Sequence, residues 1–317
     1  MKDLYDMQKI AVTGCASRFA KVLLPLLDND PNIEEIIGID LVQPAATYKK
    51  LEFHKQDIRD PATKETLIGC DTLIHLAFIV GRPYSMPLAE AASINLEGTW
   101  NACRAAAEAG VRKLVVSSSV AAYSTLPDNP VPVTEDTPLR GLYTDFYYNQ
   151  HKHANEIWLD WLQLAFPQLI ISRLRPCIVM GPNQSSAASY IQPNKTHFTC
   201  PGAYQIRLQL IHEDDLANAF YVMVQNDLPG AYNVVGDDQD SMPGIAAAAG
   251  LHVIEIPDET MIQAVKSSWE NGATAFGPEW LGEGTLICSN AKLKATGKWT
   301  PRYTTTEAFI ATVKALE

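Results

Sequence analysis

Tyr148 and Lys152 have the residue types and the spacing of a proton-transfer site. Residues four positions apart on a helix share one face, so both side chains can reach the same bound molecule. A free tyrosine has a pKa of about 10, and a phenol that acts as a base near neutral pH needs a pKa about 3 units lower, equivalent to about 4 kcal/mol. A nearby ammonium group shifts the pKa in that direction. The pair therefore predicts acid–base chemistry by Tyr148, assisted by Lys152.

A second chemical signal lies in the turn between the first predicted strand and the first predicted helix. The turn reads Thr13-Gly14-Cys15-Ala16-Ser17-Arg18-Phe19-Ala20. A tight turn at this position directs the amides of the helix N-terminus at a pyrophosphate. Asp40 ends the second predicted strand, where a carboxylate hydrogen-bonds the ribose hydroxyls of NAD and repels the 2′-phosphate of NADP. NAD is therefore the expected cofactor, and Arg18 keeps NADP as the less favoured alternative.

These segments resemble the extended branch of the short-chain dehydrogenase/reductase superfamily, the NAD-dependent epimerase/dehydratase family. The resemblance extends over nearly the whole chain. Further matching segments are Asn95-Leu96-Glu97-Gly98-Thr99, Leu174-Arg175-Pro176, Gly181-Pro182, residues 211–217 and Gly230-Ala231-Tyr232-Asn233. A Tyr-x-x-x-Lys motif alone occurs by chance in many helices, so the order of the turn, a serine-bearing strand and this motif carries the most weight.

The resemblance implies a catalytic set of Ser119, Tyr148 and Lys152. In the family, the lysine also holds the nicotinamide ribose, and the serine hydroxyl hydrogen-bonds the substrate oxygen beside the tyrosine. Three serines follow the predicted strand, and the register with Tyr123 favours Ser119 for this role. Tyr143 and Tyr147 lack a lysine four residues later, so we expect them to pack or to face substrate.

The resemblance also implies a cofactor site along the carboxyl ends of the strands. The expected contacts are Gly14, Ala16, Ser17, Arg18, Phe19, Asp40, Asp57, Ile58, Leu76, Ala77, Asn95, Ser117, Tyr148, Lys152 and Pro176. Asp57 and Ile58 match the adenine-contacting pair of the family. The turn departs from the family pattern of Thr-Gly-x-x-Gly-x-x-Gly, because Ser17 replaces the second glycine and Ala20 the third. The Ser17 hydroxyl is expected either to bind a phosphate or to cap the helix.

The implied reaction is hydride transfer at a carbon that bears oxygen, with Tyr148 moving the proton. Dehydratases of this branch carry an aspartate and a glutamate that perform elimination after the serine strand. Val120 and Ala121 fill those positions here, and neither side chain can donate or accept a proton. Dehydration is therefore not expected.

Two positions weigh on the choice of substrate. Nucleotide-sugar epimerases hold the substrate diphosphate with an asparagine and an arginine, and this chain has Ile178 and Leu208 there, with Arg207 beside the second. We therefore expect a less charged secondary alcohol or ketone, facing an apolar loop that contains Met180, Tyr190 and Phe198. A nucleotide-sugar epimerase with tightly bound NAD is the first alternative. A non-catalytic dinucleotide sensor, suggested by the altered turn, is the second.

Alternating apolar strands and helices must position these residues. Predicted strands begin near Lys9, Ile36, Asp71 and Lys113, and near-continuous apolar strands of this kind indicate a parallel sheet covered on both faces. Long helices are predicted from Leu88 to Ala109 and from Tyr143 to Phe166, and the segment from Pro176 to Tyr204 is predicted to be mostly loop. The fold class is therefore α/β, a doubly wound Rossmann-type sheet with a smaller, discontinuous substrate lobe. We assign residues 1–175 and 205–236 to the dinucleotide-binding domain, and residues 176–204 and 237–317 to the lobe.

Bulk properties limit the partners. The net charge is −11 and no run of lysine or arginine is present, which disfavours nucleic acid, and no apolar run reaches the length of a membrane span. The beginning of the chain does not resemble a signal peptide, and six scattered cysteines suggest reduced thiols in the cytoplasm. The two long helices resemble the pair that forms the dimer interface in this family, so a homodimer is expected.

The remaining titratable residues predict structure more than chemistry. His151 and His153 flank the lysine, and we expect them at the surface or in an interface. His212, Asp214 and Asp215 open a predicted helix, where capping is the expected role. No set of histidine and carboxylate residues suggests a metal site.

Overall fold

A seven-stranded sheet lies at the centre of the computed structural model, which describes residues 7–184, 196–201, 207–281 and 286–316. The strands are β1 (Gln8–Thr13), β2 (Ile33–Asp40), β3 (Leu51–Lys55), β4 (Thr72–His75), β5 (Lys113–Ser117), β6 (Ile170–Pro176), β7 (Ile178–Met180), β8 (His197–Pro201), β9 (Arg207–Leu208), β10 (Leu210–His212), β11 (Gly230–Val234), β12 (Asp240–Ser241) and β13 (His252–Ile256). The helices are α1 (Ala20–Asp28), α2 (Thr63–Thr66), α3 (Leu88–Ala92), α4 (Thr99–Glu108), α5 (Tyr147–Ala165), α6 (Glu213–Gln225), α7 (Met242–Ala248), α8 (Asp258–Glu270), α9 (Ala291–Lys294) and α10 (Thr305–Lys314).

The sheet order is β11-β6-β5-β4-β1-β2-β3, and every neighbouring pair runs parallel. This confirms the predicted doubly wound Rossmann-type fold. The chain builds outward from β1 in one direction through β2 and β3, and in the other through β4, β5 and β6. Ligands of such sheets bind at the carboxyl ends of the strands where this direction reverses. The expected site therefore lies between the ends of β1 and β4.

Alternation along the strands gives the sheet two apolar faces. In β1, Ile10 and Val12 pack with α1 and α6 on one face, whereas Ala11 packs with α4 and α5 on the other, and all three are fully buried. A strand that is buried on both sides needs apolar residues throughout, which explains why the sequence signal for these strands was strong.

Two predicted helices differ from the structure. The helix expected from Leu88 to Ala109 is interrupted between α3 and α4 by a π-helical segment, Ser93–Gly98. The second long helix, α5, begins at Tyr147 instead of Tyr143, because Gly141–Tyr143 forms a separate 3-10 turn and the Phe146 backbone is extended. Tyr143 is therefore exposed and lies outside α5.

Short sheets follow the main sheet in the second half of the chain. The segment predicted to be mostly loop contains β7 and β8, which pair with β10 and β13 respectively. Phe198 of β8 and Met180 of β7 are buried in a third apolar cluster with α7 and α10. They therefore do not form an open substrate-facing loop, and Tyr190 lies outside the described residues. The division into a dinucleotide-binding domain and a substrate lobe stays a prediction.

Candidate active site

Tyr148 and Lys152 lie on one face of α5, close to the end of β5. The Lys152 ammonium nitrogen is 5.7 Å from the centre of the Tyr148 ring and donates a hydrogen bond of 2.8 Å to the Ser117 carbonyl oxygen. Lys152 is buried, whereas Tyr148 is partly exposed. The helical spacing thus brings both groups to the carboxyl edge of the sheet.

Of the three serines at and after the end of β5, Ser119 lies beside the Tyr148 phenol. Ser119 begins the 3-10 turn Val120–Tyr123, and its hydroxyl oxygen accepts a hydrogen bond from the Ala121 amide at 3.1 Å. Ser118 points elsewhere, because its hydroxyl donates to Glu156 at 2.6 Å. The structure therefore brings Ser119, Tyr148 and Lys152 together, as the expected catalytic set requires.

Burial dominates the electrostatics of the pair. It lowers the pKa of Lys152 to about 7, against the opposing attraction of the Glu156 carboxylate. It also raises the pKa of Tyr148, and a side-chain hydrogen bond with Ser119 opposes this shift. A base near neutral pH needs a lowered phenol pKa. These side chains alone do not lower the pKa of Tyr148. The expectation of a lowered pKa combines the ammonium with the positively charged nicotinamide ring, so it stays a prediction for the protein with bound cofactor.

A buried ion pair holds the catalytic helix against the sheet. The Glu156 carboxylate accepts hydrogen bonds from the Arg175 guanidinium at 2.8 and 3.0 Å, and Arg175 also donates to the Tyr123 hydroxyl at 2.6 Å. Burial works to raise the pKa of Glu156, but the bonds and charges of Arg175 and Arg173 hold it below its ordinary value. Sequence reasoning missed Glu156, although its position four residues after Lys152 on the same helix face was a usable signal.

The turn after β1 lies in direct contact with the end of β4. Gly14 has φ +72°, and a Cβ built there would lie 2.7 Å from the Ala77 amide nitrogen, so only glycine fits. The Ser17 hydroxyl accepts a hydrogen bond from the Ala20 amide at 3.2 Å, which makes it a cap of α1. Asp40 at the end of β2 accepts from the Ala16 amide at 2.9 Å and remains partly exposed. This cradle of a tight glycine turn beside a strand-end carboxylate fits a dinucleotide, with Ser17 in its capping role.

The other expected cofactor contacts near the turn differ in how exposed their side chains are. Arg18 is exposed, whereas the Phe19 ring packs on Phe220 of α6 with 5.1 Å between ring centres. Leu76 is buried in the sheet core. The Pro176 carbonyl oxygen accepts a bond from the Ser119 hydroxyl at 3.5 Å. Phe19 and Leu76 therefore shape the floor of the site.

Asp57, Ile58 and Asn95 have partners within the chain. Arg59 forms a two-pronged ion pair with Asp57 at 2.7 and 3.0 Å, which holds the pKa of that carboxyl below its usual range. Ile58 is buried against Gly98, where a built Cβ would overlap it. Asn95 lies in the π-helical segment, donates to the Ile79 carbonyl at 3.0 Å and accepts from the Ile79 amide at 2.7 Å. Asn95 thus fixes the chain just beyond β4.

Phe78 was not singled out from the sequence, yet it contacts both members of the pair. Its ring centre lies 3.7 Å from the Lys152 ammonium nitrogen and 5.7 Å from the Tyr148 ring, which it meets edge to face. A cation over an aromatic face at this distance is stabilised by the ring quadrupole. Phe78 therefore stabilises the ammonium group and packs against the Tyr148 ring.

The histidines beside the lysine are not at the surface. His151 and His153 are buried within the chain, which corrects the expected surface or interface position. The His151 ring nitrogen lies 3.2 Å from the Asn95 amide nitrogen, and His153 accepts a bond of 3.2 Å from the Leu142 amide. His212 begins α6 and accepts a bond from the Asp214 amide at 3.1 Å, which confirms the predicted capping role.

Within the described part of the chain, no three histidine, cysteine or carboxylate side chains are grouped as metal ligands would be. The helices described there include none that is long and apolar enough to cross a membrane.

Comparisons with known proteins place this geometry in a family. An uncharacterized protein of Mycobacterium tuberculosis is 24% identical over 95% of this chain and 82% of its own length. UDP-glucose 4-epimerase of Bacillus subtilis is 25% identical over 80% of this chain and 70% of its own. Among solved structures, UDP-galactose 4-epimerase superposes with a TM-score of 0.74 at 20% identity, covering 97% of this chain and 98% of that one. UDP-glucuronic acid 4-epimerase from Bacillus cereus in complex with NAD gives a TM-score of 0.76 at 18% identity, with the same coverage.

The structural matches are too distant in sequence to show more than the shared fold. The family model is more specific, because it matches residues 10–235, which include the glycine turn, the serine strand and α5. The family is NAD-dependent, which confirms the expected cofactor and enzyme class at this level. The chain is therefore a member of the NAD dependent epimerase/dehydratase family.

Proposed function

We propose that the protein transfers hydride between NAD and the carbon of a secondary alcohol or ketone, with Tyr148 as general acid/base. The observation that carries this proposal is the meeting of Tyr148, Lys152 and Ser119 at the carboxyl edge of the sheet, next to the glycine turn. NAD supplies the hydride acceptor or donor when bound. The geometry supports Gly14, Ala16, Ser17, Arg18 and Asp40 as residues around the adenosine and pyrophosphate, with Lys152 toward the nicotinamide ribose.

Each side chain has a distinct task in this mechanism. Ser119 orients the substrate oxygen with a hydrogen bond, and Tyr148 donates a proton to that oxygen in reduction or accepts one in oxidation. Because Lys152 has a pKa near 7, it can be charged or neutral around neutral pH. In the charged form it favours the phenolate electrostatically. Glu156 and Arg175 position α5 without contacting the substrate.

A nucleotide-sugar epimerase is the second candidate, because two curated relatives have that activity in their names. Uncharged Ile178 and Leu208 stand against it, since a diphosphate needs cationic or hydrogen-bonding partners at those positions. A non-catalytic sensor is disfavoured because the tyrosine and the lysine are both present and share one site.

The test begins with the purified protein. Native mass spectrometry detects co-purified NAD, and a spectrophotometric panel of ketones, secondary alcohols and nucleotide sugars follows the oxidation of NADH or the reduction of NAD. Reduction of a ketone that depends on Tyr148 supports the proposal. Interconversion of UDP-sugars without net change of bound NAD would replace it with the epimerase.

We also propose a homodimer through α4 and α5. Trp161 and Leu164 of α5 are 62% and 79% exposed, although both are large apolar residues. Trp158 packs on Trp100 of α4 beside them, with 5.9 Å between ring centres. Leu164→Glu is expected to convert the dimer to a monomer in light scattering, and a parent protein that is monomeric at micromolar concentration would contradict the proposal. The substrate lobe and a cytoplasmic location likewise stay predictions.

A further inference from the structure

Aromatic side chains surround the exposed side of Tyr148. The indole of Trp280 lies 4.9 Å from the Tyr148 ring centre, and Phe146 lies 6.0 Å from it. Phe146 and Phe276 each meet Trp280 edge to face, at 4.9 and 5.0 Å. We call Phe146, Phe276 and Trp280 the aromatic wall. All three rings are partly exposed, so they present apolar surface to whatever approaches the phenol.

The wall is fixed from two directions. Trp280 lies on the 3-10 turn Pro278–Leu281, and its amide donates to the Gly277 carbonyl at 3.1 Å. Phe276 lies against Gly81, where a built Cβ would be 3.1 Å from its ring. The chain after β4 is also held by Tyr147, whose hydroxyl donates to the Val80 carbonyl at 2.7 Å. Packing of this kind gives the rings a defined orientation toward Tyr148 before any ligand arrives.

Charges near the wall do not suit an anionic substrate. Arg82 donates to the Met86 carbonyl at 2.6 Å and lies 4.8 Å over the Trp269 ring, so these two contacts engage part of its guanidinium. Glu279 next to Trp280 adds a negative charge that raises the pKa of Tyr147, together with burial as the larger cause. Arg207 is hydrogen-bonded to Gln239 at 3.1 Å. A pyrophosphate here would meet a carboxylate and apolar rings.

We propose that the substrate carries an aromatic ring next to its reacting carbon, as an aryl ketone or an aryl secondary alcohol, and that Trp280 is the residue that selects it. This inference rests on the proposed function. In reduction, bound NADH would supply the hydride for the new C–H bond as the carbonyl π bond breaks, and Tyr148 gives its proton to the oxygen. The products would be the alcohol, NAD⁺ and a Tyr148 phenolate that takes a proton back from water. Offset or edge-to-face contact with the wall orients the ring while the carbonyl reaches Ser119 and Tyr148.

The experiment compares two ketones of similar size that differ in whether the ring is aromatic or saturated. Acetophenone has an aromatic ring, and cyclohexyl methyl ketone has a saturated ring in its place. Calorimetry with NADH-loaded Tyr148→Phe protein measures both dissociation constants without turnover. We expect acetophenone to bind about 2- to 10-fold tighter, as an aromatic pair predicts. Trp280→Ala in this background should reduce the ratio to about one, and Trp280→Phe should keep most of it.

Tyr84→Ala is the matched control, because it removes a ring that packs on Trp269 and not on Tyr148. It should leave the ratio unchanged. If Trp280→Ala has a lower melting temperature than the parent, Phe276→Leu provides a second test. This variant keeps an apolar side chain behind Trp280, and it should lower the ratio of the two dissociation constants. An unchanged ratio in Trp280→Phe, Trp280→Ala and Phe276→Leu alike, or UDP-glucose binding tighter than acetophenone, would overturn the inference.

The two proposals fail in different ways. Trp280-dependent binding of acetophenone without any reduction by the parent enzyme and NADH would sink the proposed function and leave the aromatic selection intact. Tyr148-dependent reduction of both ketones with equal kcat/KM would sink the aromatic selection and leave the function intact.

Discussion

The catalytic helix and the cofactor turn meet at the same edge of the sheet but are held by different kinds of contact. Glu156 anchors α5 with buried, charged bonds to Arg175 and Ser118. The turn after β1 is held by single, partly buried bonds from backbone amides, from Ala20 to the Ser17 hydroxyl and from Ala16 to the Asp40 carboxylate. Removing one partner of a buried ion pair lowers the free energy of unfolding by several kcal/mol, whereas removing a helix cap lowers it by about 1 kcal/mol. The turn can therefore depart from the family pattern where the helix cannot.

The largest effect is expected from the phenol itself. Tyr148→Phe removes the proton donor and should lower kcat by about 100- to 10,000-fold, the usual contribution of a general acid. NAD affinity should stay close to that of the parent. Tyr147→Phe is the neighbouring control, because its hydroxyl contacts the Val80 carbonyl and the Trp280 side chain but not the reacting atoms, and it should keep activity within a few-fold. Tyr148→Phe with more than a tenth of the parental kcat on the best ketone would exclude the assigned role.

Glu156→Gln tests the buried anchor of the helix. Its loss leaves the buried Arg175 without its carboxylate and Arg173 with the exposed Asp160 alone, so the free energy of unfolding should fall by about 3–5 kcal/mol in urea. Arg104→Gln breaks the exposed pair with Glu108 and should cost less than about 1 kcal/mol. Equal losses in the two variants would show that the anchor contributes no more than a surface pair.

Lys152 predicts a pH dependence of stability. Its pKa falls from 10.5 in the free side chain to about 7 in the fold, so between these values the unfolded chain binds more protons. The free energy of unfolding should therefore gain a positive slope from pH 7 to 10 through this residue. In Lys152→Met that component disappears, and the variant should gain most stability over the parent at pH 7 and least at pH 10. A constant difference across urea titrations at these pH values would contradict it.

The smallest effect is expected in the turn. Ser17→Gly restores the family residue and opens the backbone to the pyrophosphate, so NAD should bind about 2- to 10-fold tighter, the range of one hydrogen bond. Stability should change by only a few tenths of a kcal/mol. Ser17→Ala keeps the Cβ but loses the cap, so it should cost about 1 kcal/mol without any gain in affinity. Weaker binding by Ser17→Gly would indicate that the hydroxyl itself contacts the cofactor.

Local spacing made much of this site readable from the sequence. A lysine four residues after a tyrosine on a helix and a glycine at the end of a buried strand act through near neighbours, so their placement followed from helical and strand geometry. The same holds for His212, which caps the helix that it precedes.

Other features depend on contacts between distant segments. Trp280 reaches Tyr148 only because the 3-10 turn near the end of the chain folds over α5. His153 is buried by Leu142 of a preceding turn, and Phe78 covers Lys152 from the end of β4. The side-chain pattern of one helix does not indicate which distant segment packs against it. The contacts of these residues could therefore not be predicted from the sequence.

The π-helical segment Ser93–Gly98 has a structural consequence for how this chain tolerates change. A π turn accommodates one surplus residue, and each residue of an α-helix rotates the following side chains by about 100°. Removing one residue there would restore regular winding but swing Asn95 away from Ile79, which it holds by both the amide and the carbonyl. The chain beyond β4, which carries Phe78, would then be held by the Tyr147 bond to Val80 without the two bonds from Asn95. The number of residues in this helix, which looks continuous in the sequence, is thus fixed by its contacts with the neighbouring loop.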